Sequence, residues 1–415
     1  MSIHPKMLRK SIIIGIVVFV ILAVGAITAF ITHEECCKPN NCEIPPIHKN
    51  APLYARFYPA EFVYPNHDHN LILEKGESIT VGCPGSKLNI GVISIEVTCI
   101  SGTLFSILGN NLDITSLYCE NKVKSIARYT NKLCENDGQE IEVGFKFNNT
   151  QFLRQIRICF NVSSLNPLYS EHNLTRFIDN RDKPLRRPFL PPFKEASFYN
   201  LNTTRVYKLY NTRNQRETIN QQLEISSPNS TEVIKDGFSF YLTRGHLSPN
   251  PDFVYISQQD ATYYYFNTAP QWGIINSKSW IHLNWRIISF ASKINKTFRI
   301  FTGTFGNLVL NKYSSHQLHL YYNPPSEKIP IPEVFWKVVY EEIDQLGVAF
   351  IGTNNPFLNK HNLKLLCNDI SKSVKWIEFN NKNMTEGFIY ACEVDDLRKT
   401  IKYIPQLHVN GILSK

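Results

Sequence analysis

Residues 11–32 run for 22 positions without a charge, rich in Ile, Val, Ala and Phe. This segment fixes the surroundings in which everything after it must fold. A spanning helix needs about 20 apolar residues, whereas the apolar part of a cleaved signal has roughly 7–15. Lys6, Arg9 and Lys10 precede the run and His33-Glu34-Glu35 follow it. The expected order is therefore a cytoplasmic stub (1–10), a signal-anchor transmembrane helix (11–32) and an exported body, a single-pass type II membrane protein. Ala23 and Gly25 are small enough to serve a signal peptidase, so a secreted protein released by cleavage is the alternative.

Cysteine usage agrees with export. All ten cysteines follow the apolar run, an even number suited to disulfides in an oxidising compartment. Seven N-x-S/T sequons, at Asn148, Asn161, Asn173, Asn202, Asn229, Asn295 and Asn383, add N-linked glycans to the expectation. With 43% hydrophobic and 12% aromatic residues the chain can bury a sizeable core, so disorder is not the expected state. Beyond the stub, 41 Lys and Arg face 35 Asp and Glu. So mild an excess tolerates a polyanionic partner without requiring one.

Residues 33–50 read as a Cys- and Pro-rich stalk whose cysteines match no zinc-ligand spacing. Residues 51–180 carry alternating runs at 78–81, 93–97 and 141–147, punctuated by Cys83, Cys99, Cys119, Cys134 and Cys159. They predict a small disulfide-braced β module. Residues 181–194 (RDKPLRRPFLPPFK) form a basic, Pro-rich connector. The second domain, 195–415, opens with a strand and then a helix starting at Asn211-Thr212. Arg213 and Arg216 share one face of that helix, where either could reach a backbone phosphate. Further on, residues 298–310 suggest a hairpin about Gly303 or Gly306, and 348–352 a buried strand. Cys367 and Cys392 suggest a local bridge, and 395–403 a helix.

Residues 238–286 hold the chemistry. An alternating strand (Phe238, Phe240, Leu242) ends in Arg244-Gly245-His246, and a turn follows at Ser248-Pro249-Asn250-Pro251. A second strand is expected from Ala261 to Asn267, then Asn276, then a helix from near Ser277. Trp272 and Trp280 read as core. Hydrolysing a phosphodiester at neutral pH needs a base, a cation for the developing charge and donors for the oxygens. His246 is the natural base, with an ordinary pKa near 6.5. Gly245 permits a tight bend or a close backbone approach. Arg244 offers a planar fork of donors. Asn276 brings a neutral amide oxygen suited to Mg²⁺, which keeps most of its waters and needs few protein groups; Mn²⁺ is the alternative ion.

The order RGH, then N-x-A-P-Q, then N-x-x-x-W at a helix resembles the ββα-metal (His-Me finger) family of DNA/RNA non-specific endonucleases. The resemblance is nearest to the exported arthropod nucleases that degrade double-stranded RNA. It is carried by RGHLSP and DFVY, by ATYYY and APQW, by Leu209-Tyr210-Asn211-Thr212-Arg213-Asn214-Gln215, and by the CPG and VGF segments upstream. The family implies an α+β fold: a ββα-metal nuclease domain with a mixed or antiparallel sheet and flanking helices, here following the β module and the transmembrane helix. It places His246 as general base, Asn276 as metal ligand, Asn267 and Gln271 as polar braces and Arg244 at the substrate. The activity implied is Mg²⁺-dependent hydrolysis of RNA, chiefly double-stranded, and DNA to 5′-phosphate products. Two positions depart from the pattern. Thr243 stands where an Asp is frequent, which bears on support of the histidine. Asn284 stands where a Glu usually holds the metal's water shell, and such outer losses cost roughly 10–100-fold. A catalytically impaired nucleic-acid-binding surface protein is therefore the second reading.

Overall fold

The structure, a computed structural model, describes residues 41–46, 50–66, 68–182, 190–196, 198–199, 205–237, 239–321, 328–379 and 381–415. The stub, the expected transmembrane segment 11–32, Cys36, Cys37, Arg186, Arg187, Asn202 and Phe238 lie outside the described residues. Among the described residues no helix is long and apolar enough to cross a membrane.

The chain separates into two compact units, one of residues up to Gly82 with Lys87–Glu120, the other of Cys83–Ser86 with Asn121–Lys415. In the first, six antiparallel strands follow the order Ala60–Phe62, Leu53–Phe57, Ser78–Gly82, Ser94–Ser101, Leu104–Ile107 and Asn110–Asp113. The alternation that predicts the Ser78 strand sends Ile79 and Val81 inward, to be buried with Val97, Phe105 and Ile107. Cys42 bridges Cys99 across 57 residues. The stalk's third cysteine is thus bound into this sheet.

The second unit is built on nine strands. Their order is Ile389–Cys392, Leu346–Thr353, Val334–Glu341, Phe298–Phe305, Asn166–Leu174, Phe152–Asn161, Gln139–Lys146 and Ile126–Leu133, with Gly411–Ile412 pairing parallel to Leu346–Thr353. This sheet crosses the domain boundary expected at 181–194. Asn166–Leu174 pairs with Phe298–Phe305 from Tyr169↔Gly303 to Leu174↔Phe298, so residues 126–174 belong with the carboxy-terminal part. Sequence alternation marks a strand but not its neighbour, which is why the Pro-rich connector reads as a border. Cys134 pairs with Cys159 and Cys367 with Cys392; Cys83 and Cys119 are also disulfide-bonded.

Val334–Glu341 is buried at all eight positions because both sheet faces are covered. Trp336, Val338 and Tyr340 enter one core, while Phe335 on the other face meets Trp280 with ring centroids 5.6 Å apart. Gly352 on the next strand makes room for that indole: a Cβ there would lie 3.0 Å from the Trp280 ring. This seats the long helix Ile281–Lys293 on the sheet.

Three local expectations need correction. Residues 298–305 form one continuous strand, with no hairpin at Gly303. The glycine is needed because a Cβ would strike the Leu168 carbonyl and the Trp336 ring. Residues 206–209, expected as strand, form a single helical turn. Residues 261–267 are turn and short helix instead of strand, and the strand that pairs with Leu242–His246 is Thr268–Trp272. Tyr263, Tyr264, Tyr265 and Phe266 are all buried. The chain turns here into the short helix Tyr265–Asn267, and all four rings still pack into the core. The sequons lie at the surface: Asn148, Asn173, Asn229, Asn295 and Asn383 are exposed and Asn161 half-buried.

Candidate active site

His246, Asn276 and Asn284 line one pocket of about 120 Å³, together with Pro249, Asn250, Pro251, Trp280, Ile281, Trp285 and Ile288. Two antiparallel strands and a helix bring them together. Leu242–His246 pairs with Thr268–Trp272 in register, Gly245↔Ala269 and His246↔Thr268. Pro270 is tolerated because this is a two-stranded ribbon with a free edge. The helix begins at Gly273 rather than near Ser277, and Asn276 opens a π turn, Asn276–Trp280, that leads into Ile281–Lys293. Asn276 therefore sits one turn inside the helix and caps nothing. Positions 276, 280, 284 and 288 follow one another along the face turned to the pocket. Such π turns recur at functional sites.

Gly245 serves close approach, not a bend. A Cβ there would lie 2.5 Å from Gln271 Oε1. Gln271 is fully buried beneath it, and its side-chain oxygen and nitrogen have no partner among the described residues. Asn267, also fully buried, braces the chain after the histidine: its Nδ2 donates to the Ser248 and Thr262 carbonyls, and its Oδ1 accepts from Ser248 N–H. Both residues expected to brace the site thus lie behind it.

His246 is half-buried against Phe193 and Tyr263, with ring centroids 5.2 and 5.1 Å away. Its Nε2 is shut from solvent and unpartnered among the described residues, which leaves Nδ1 as the nitrogen that can meet water. Burial, with the Arg244 charge two residues back, pushes the ring's pKa down to about 4. The imidazole is neutral throughout the physiological range.

Asn276 is oriented by a short relay. The Thr243 hydroxyl donates to the Gln271 carbonyl at 2.9 Å, and Asn276 Nδ2 donates to the same hydroxyl at 3.0 Å. The hydroxyl has one proton and it is committed, so the amide must present its NH₂ there and turn Oδ1 elsewhere. Thr243 therefore supports the asparagine, whereas the sequence suggests support of the histidine.

Arg244 lies outside the pocket lining. Its guanidinium carbon is 4.8 Å from the Tyr210 ring centre, 5.3 Å from Phe193 and 5.5 Å from Tyr265, a cage of aromatic faces that holds a cation without neutralising it. Arg213 and Arg216 do not line the pocket either. Arg213 is exposed and paired with Glu217 at 3.0 Å; Arg216 donates to Asp236 and to the Ile234 carbonyl. Asn211 caps that helix as the sequence predicts, accepting from Arg213 and Asn214 N–H.

A buried triad without an obvious sequence signal lies behind the pocket. Ser170 Oγ is 2.9 Å from Ser248 Oγ, Ser248 Oγ 2.8 Å from His172 Nδ1, and His172 Nε2 2.9 Å from Asp252 Oδ2. Burial holds the His172 pKa below its ordinary value, so the neutral ring donates from Nε2 to Asp252 and accepts at Nδ1. Ser248, His172 and Asp252 are 0, 3 and 4% exposed. No substrate reaches them, which excludes a serine-nucleophile reading. The triad instead staples the segment carrying Pro249, Asn250 and Pro251 to the sheet.

The pocket can accept a hydrated cation. Its volume leaves room for several waters. Asn276 Oδ1 accepts no hydrogen bond among the described residues, and Asn284 Oδ1 is a buried acceptor with no partner. Two neutral amide groups lining one pocket suit a hard ion that retains water. Among the described residues no carboxylate lines the pocket, so the charge that holds such an ion must come largely from a bound anion.

The model of a family described as DNA/RNA non-specific endonuclease matches residues 136–397. A salivary endonuclease of Lutzomyia longipalpis is 28% identical over 344 residues, covering 82% of this chain and 76% of that protein. The salivary protein Tsal2A of Glossina morsitans morsitans is 24% identical, covering 82% and 84%. A salivary endonuclease of Culex quinquefasciatus is 32% identical over 171 residues, 39% of this chain and 44% of that one.

Proposed function

The chain belongs to the DNA/RNA non-specific endonuclease family, and from its pocket we propose a Mg²⁺-dependent hydrolase of phosphodiester bonds. Double-stranded RNA is the preferred substrate, with DNA also cut, and the protein is exported and glycosylated, held to the membrane through residues 11–32. The observation that carries this reading is the meeting of His246, Asn276 and Asn284 in one pocket. Nothing else among the described residues explains why a neutral histidine and two unpartnered amide oxygens should share a cavity.

His246 Nδ1 takes the proton of a water, which attacks phosphorus in line with the departing 3′ oxygen and leaves a 5′-phosphate. Asn276 Oδ1 would hold the ion, and the Asn284 side chain, once its amide oxygen turned into the pocket, would hold one of its waters. When bound, that ion supplies positive charge for the phosphate and the leaving oxygen. Pro249 and Pro251 on one wall and Trp280 and Ile288 on the other keep bulk water out. Arg244 adds fixed positive potential from behind and, second to burial, helps keep the imidazole neutral.

The depressed histidine fixes the pH response. Protonated imidazole cannot act as base, so kcat/KM falls only as pH drops through the region near 4, not near the ordinary 6.5. A pH–rate profile measured from pH 4 to 8 is expected to be flat on its acid side down to about pH 5.

Incubating the purified full chain with duplex RNA in Mg²⁺ or in chelator tests the assignment. Fragments with 5′-phosphate ends only in Mg²⁺ support it; retention of intact RNA in both sinks it and favours a binding protein. Asn284→Glu, assayed alongside, would place a carboxylate at the orphaned oxygen. It is expected to raise the rate about 10–100-fold at limiting Mg²⁺ and to lower the Mg²⁺ concentration for half-maximal activity.

A further inference from the structure

Arg181 is the charged group whose placement the proposed reaction leaves unused. It follows the short helix Ile178–Asn180 and opens the connector, with Asp182 next to it. Two anchors hold it against the two walls of the pocket. Ser292 Oγ on the long helix donates to Asp179, while Asp182 N–H donates to the Val254 carbonyl and Asp182 Oδ2 accepts from Ile256 N–H. The segment is therefore wedged between the helix that carries Asn276 and Asn284 and the loop that follows His246.

The guanidinium carbon of Arg181 lies 4.6 Å from the ring centre of Trp285. Trp285 lines the pocket, yet it remains 36% exposed. Its open face leaves the indole available to a group stacked on it. Asp179 and Asp252 both act on Arg181 through their charge, but among the described residues neither forms an ion pair with it. The guanidinium makes no hydrogen bond among the described residues either. It is a cation with a planar stacking partner, a fixed backbone and five donors uncommitted.

We propose that Arg181, laid on Trp285, binds a backbone phosphate of the nucleic acid next to the phosphate being cut. The inference rests on the nuclease reading of the pocket. The stacked plane directs two parallel N–H donors at the phosphate oxygens, a geometry that lysine cannot copy. The segment's two anchors let this happen without ordering a loop on binding. A phosphate held here would leave the neighbouring phosphodiester over His246 and Asn276, and would supply part of the anionic charge that the pocket walls lack.

Arg181→Gln, Arg181→Lys and Trp285→Ala, each checked for native thermal unfolding, are compared with the wild-type full chain on duplex RNA from 50 to 200 mM salt. Arg181→Gln is expected to raise KM about 10-fold with a smaller change in kcat, and to reduce the slope of log KM against log salt by about 0.9, one phosphate contact. Arg181→Lys keeps the salt slope but recovers only part of the KM. Trp285→Ala, which keeps the charge and removes the stacking plane, behaves like Arg181→Lys. Unchanged KM and salt slope in Arg181→Gln, with the wild type cleaving normally, would overturn the inference and leave the nuclease reading intact. A wild-type chain that neither cuts nor binds RNA overturns both.

Discussion

Replacing His246 by alanine is expected to lower the cleavage rate by about 10²–10⁴-fold, the usual worth of a positioned general base. KM should move little, because the imidazole carries no charge with which to bind phosphate. Stability should fall only within the ordinary range of a single substitution, about 0.5–3 kcal/mol. No hydrogen bond is lost, since neither ring nitrogen has a partner among the described residues. What goes is ring contact with Phe193 and Tyr263. Activity lost with folding kept separates a catalytic histidine from a packing one. A single-turnover assay on duplex RNA, run beside a thermal unfolding curve, reads both quantities at once.

Asn276→Ala carries the second large effect. Its amide oxygen is the proposed neutral ligand, and its NH₂ is spent on Thr243. Losing the ligand should cost more than the roughly 10–100-fold typical of outer-shell groups, while the lost hydrogen bond costs about 1 kcal/mol of stability. Asn276→Asp separates the two jobs. The carboxylate keeps an oxygen ligand and adds charge, but it can no longer donate to the Thr243 hydroxyl. That hydroxyl would turn toward the carboxylate and release the Gln271 carbonyl. The aspartate variant is therefore expected to fall between wild type and alanine in rate, with a lower Mg²⁺ requirement than alanine. Titrating Mg²⁺ for the three proteins checks the order; an alanine variant that cleaves like wild type removes Asn276 from the site.

The residues that meet in the pocket were legible because their chemistry is local. A strand ending in Arg-Gly-His and an asparagine at a helix thirty positions on are visible in one short stretch. Gly245 signals a close approach, and the structure supplies the side chain that needs the space, Gln271. The path between them was not legible. Tyr263–Phe266 have strand composition, but the chain turns there into the short helix Tyr265–Asn267, and local propensity yields to tertiary context. The π turn at Asn276 was equally hidden, since nothing in Asn-Ser-Lys-Ser-Trp distinguishes a cap from a residue one turn inside. The domain border failed for a longer-range reason. Asn166–Leu174 is a plain strand in sequence, and only its pairing with Phe298–Phe305 assigns it to the second unit.

Side chains that act across long separations left the faintest trace. His172 and Asp252 are 80 residues apart and share a hydrogen bond in the core. Asp252 belongs to a motif visible in the sequence, but its partner sits unmarked in an ordinary strand. Arg181 and Trp285 meet over a greater span, and neither stands in a pattern of its own. Arg213 and Arg216 show the converse. Their helical spacing invites a phosphate, yet Glu217 and Asp236 already pair with them.

Chemical rescue of the missing base addresses the centre of the account most directly. In His246→Gly the ring is gone and the pocket is enlarged where Nδ1 stood, so free imidazole can enter from solvent. Single-turnover cleavage of duplex RNA by this variant in Mg²⁺ should be negligible alone and rise in proportion to added imidazole, saturating at high concentration. Full activity of His246→Gly without imidazole, on a chain that still folds, would contradict the assignment of the base.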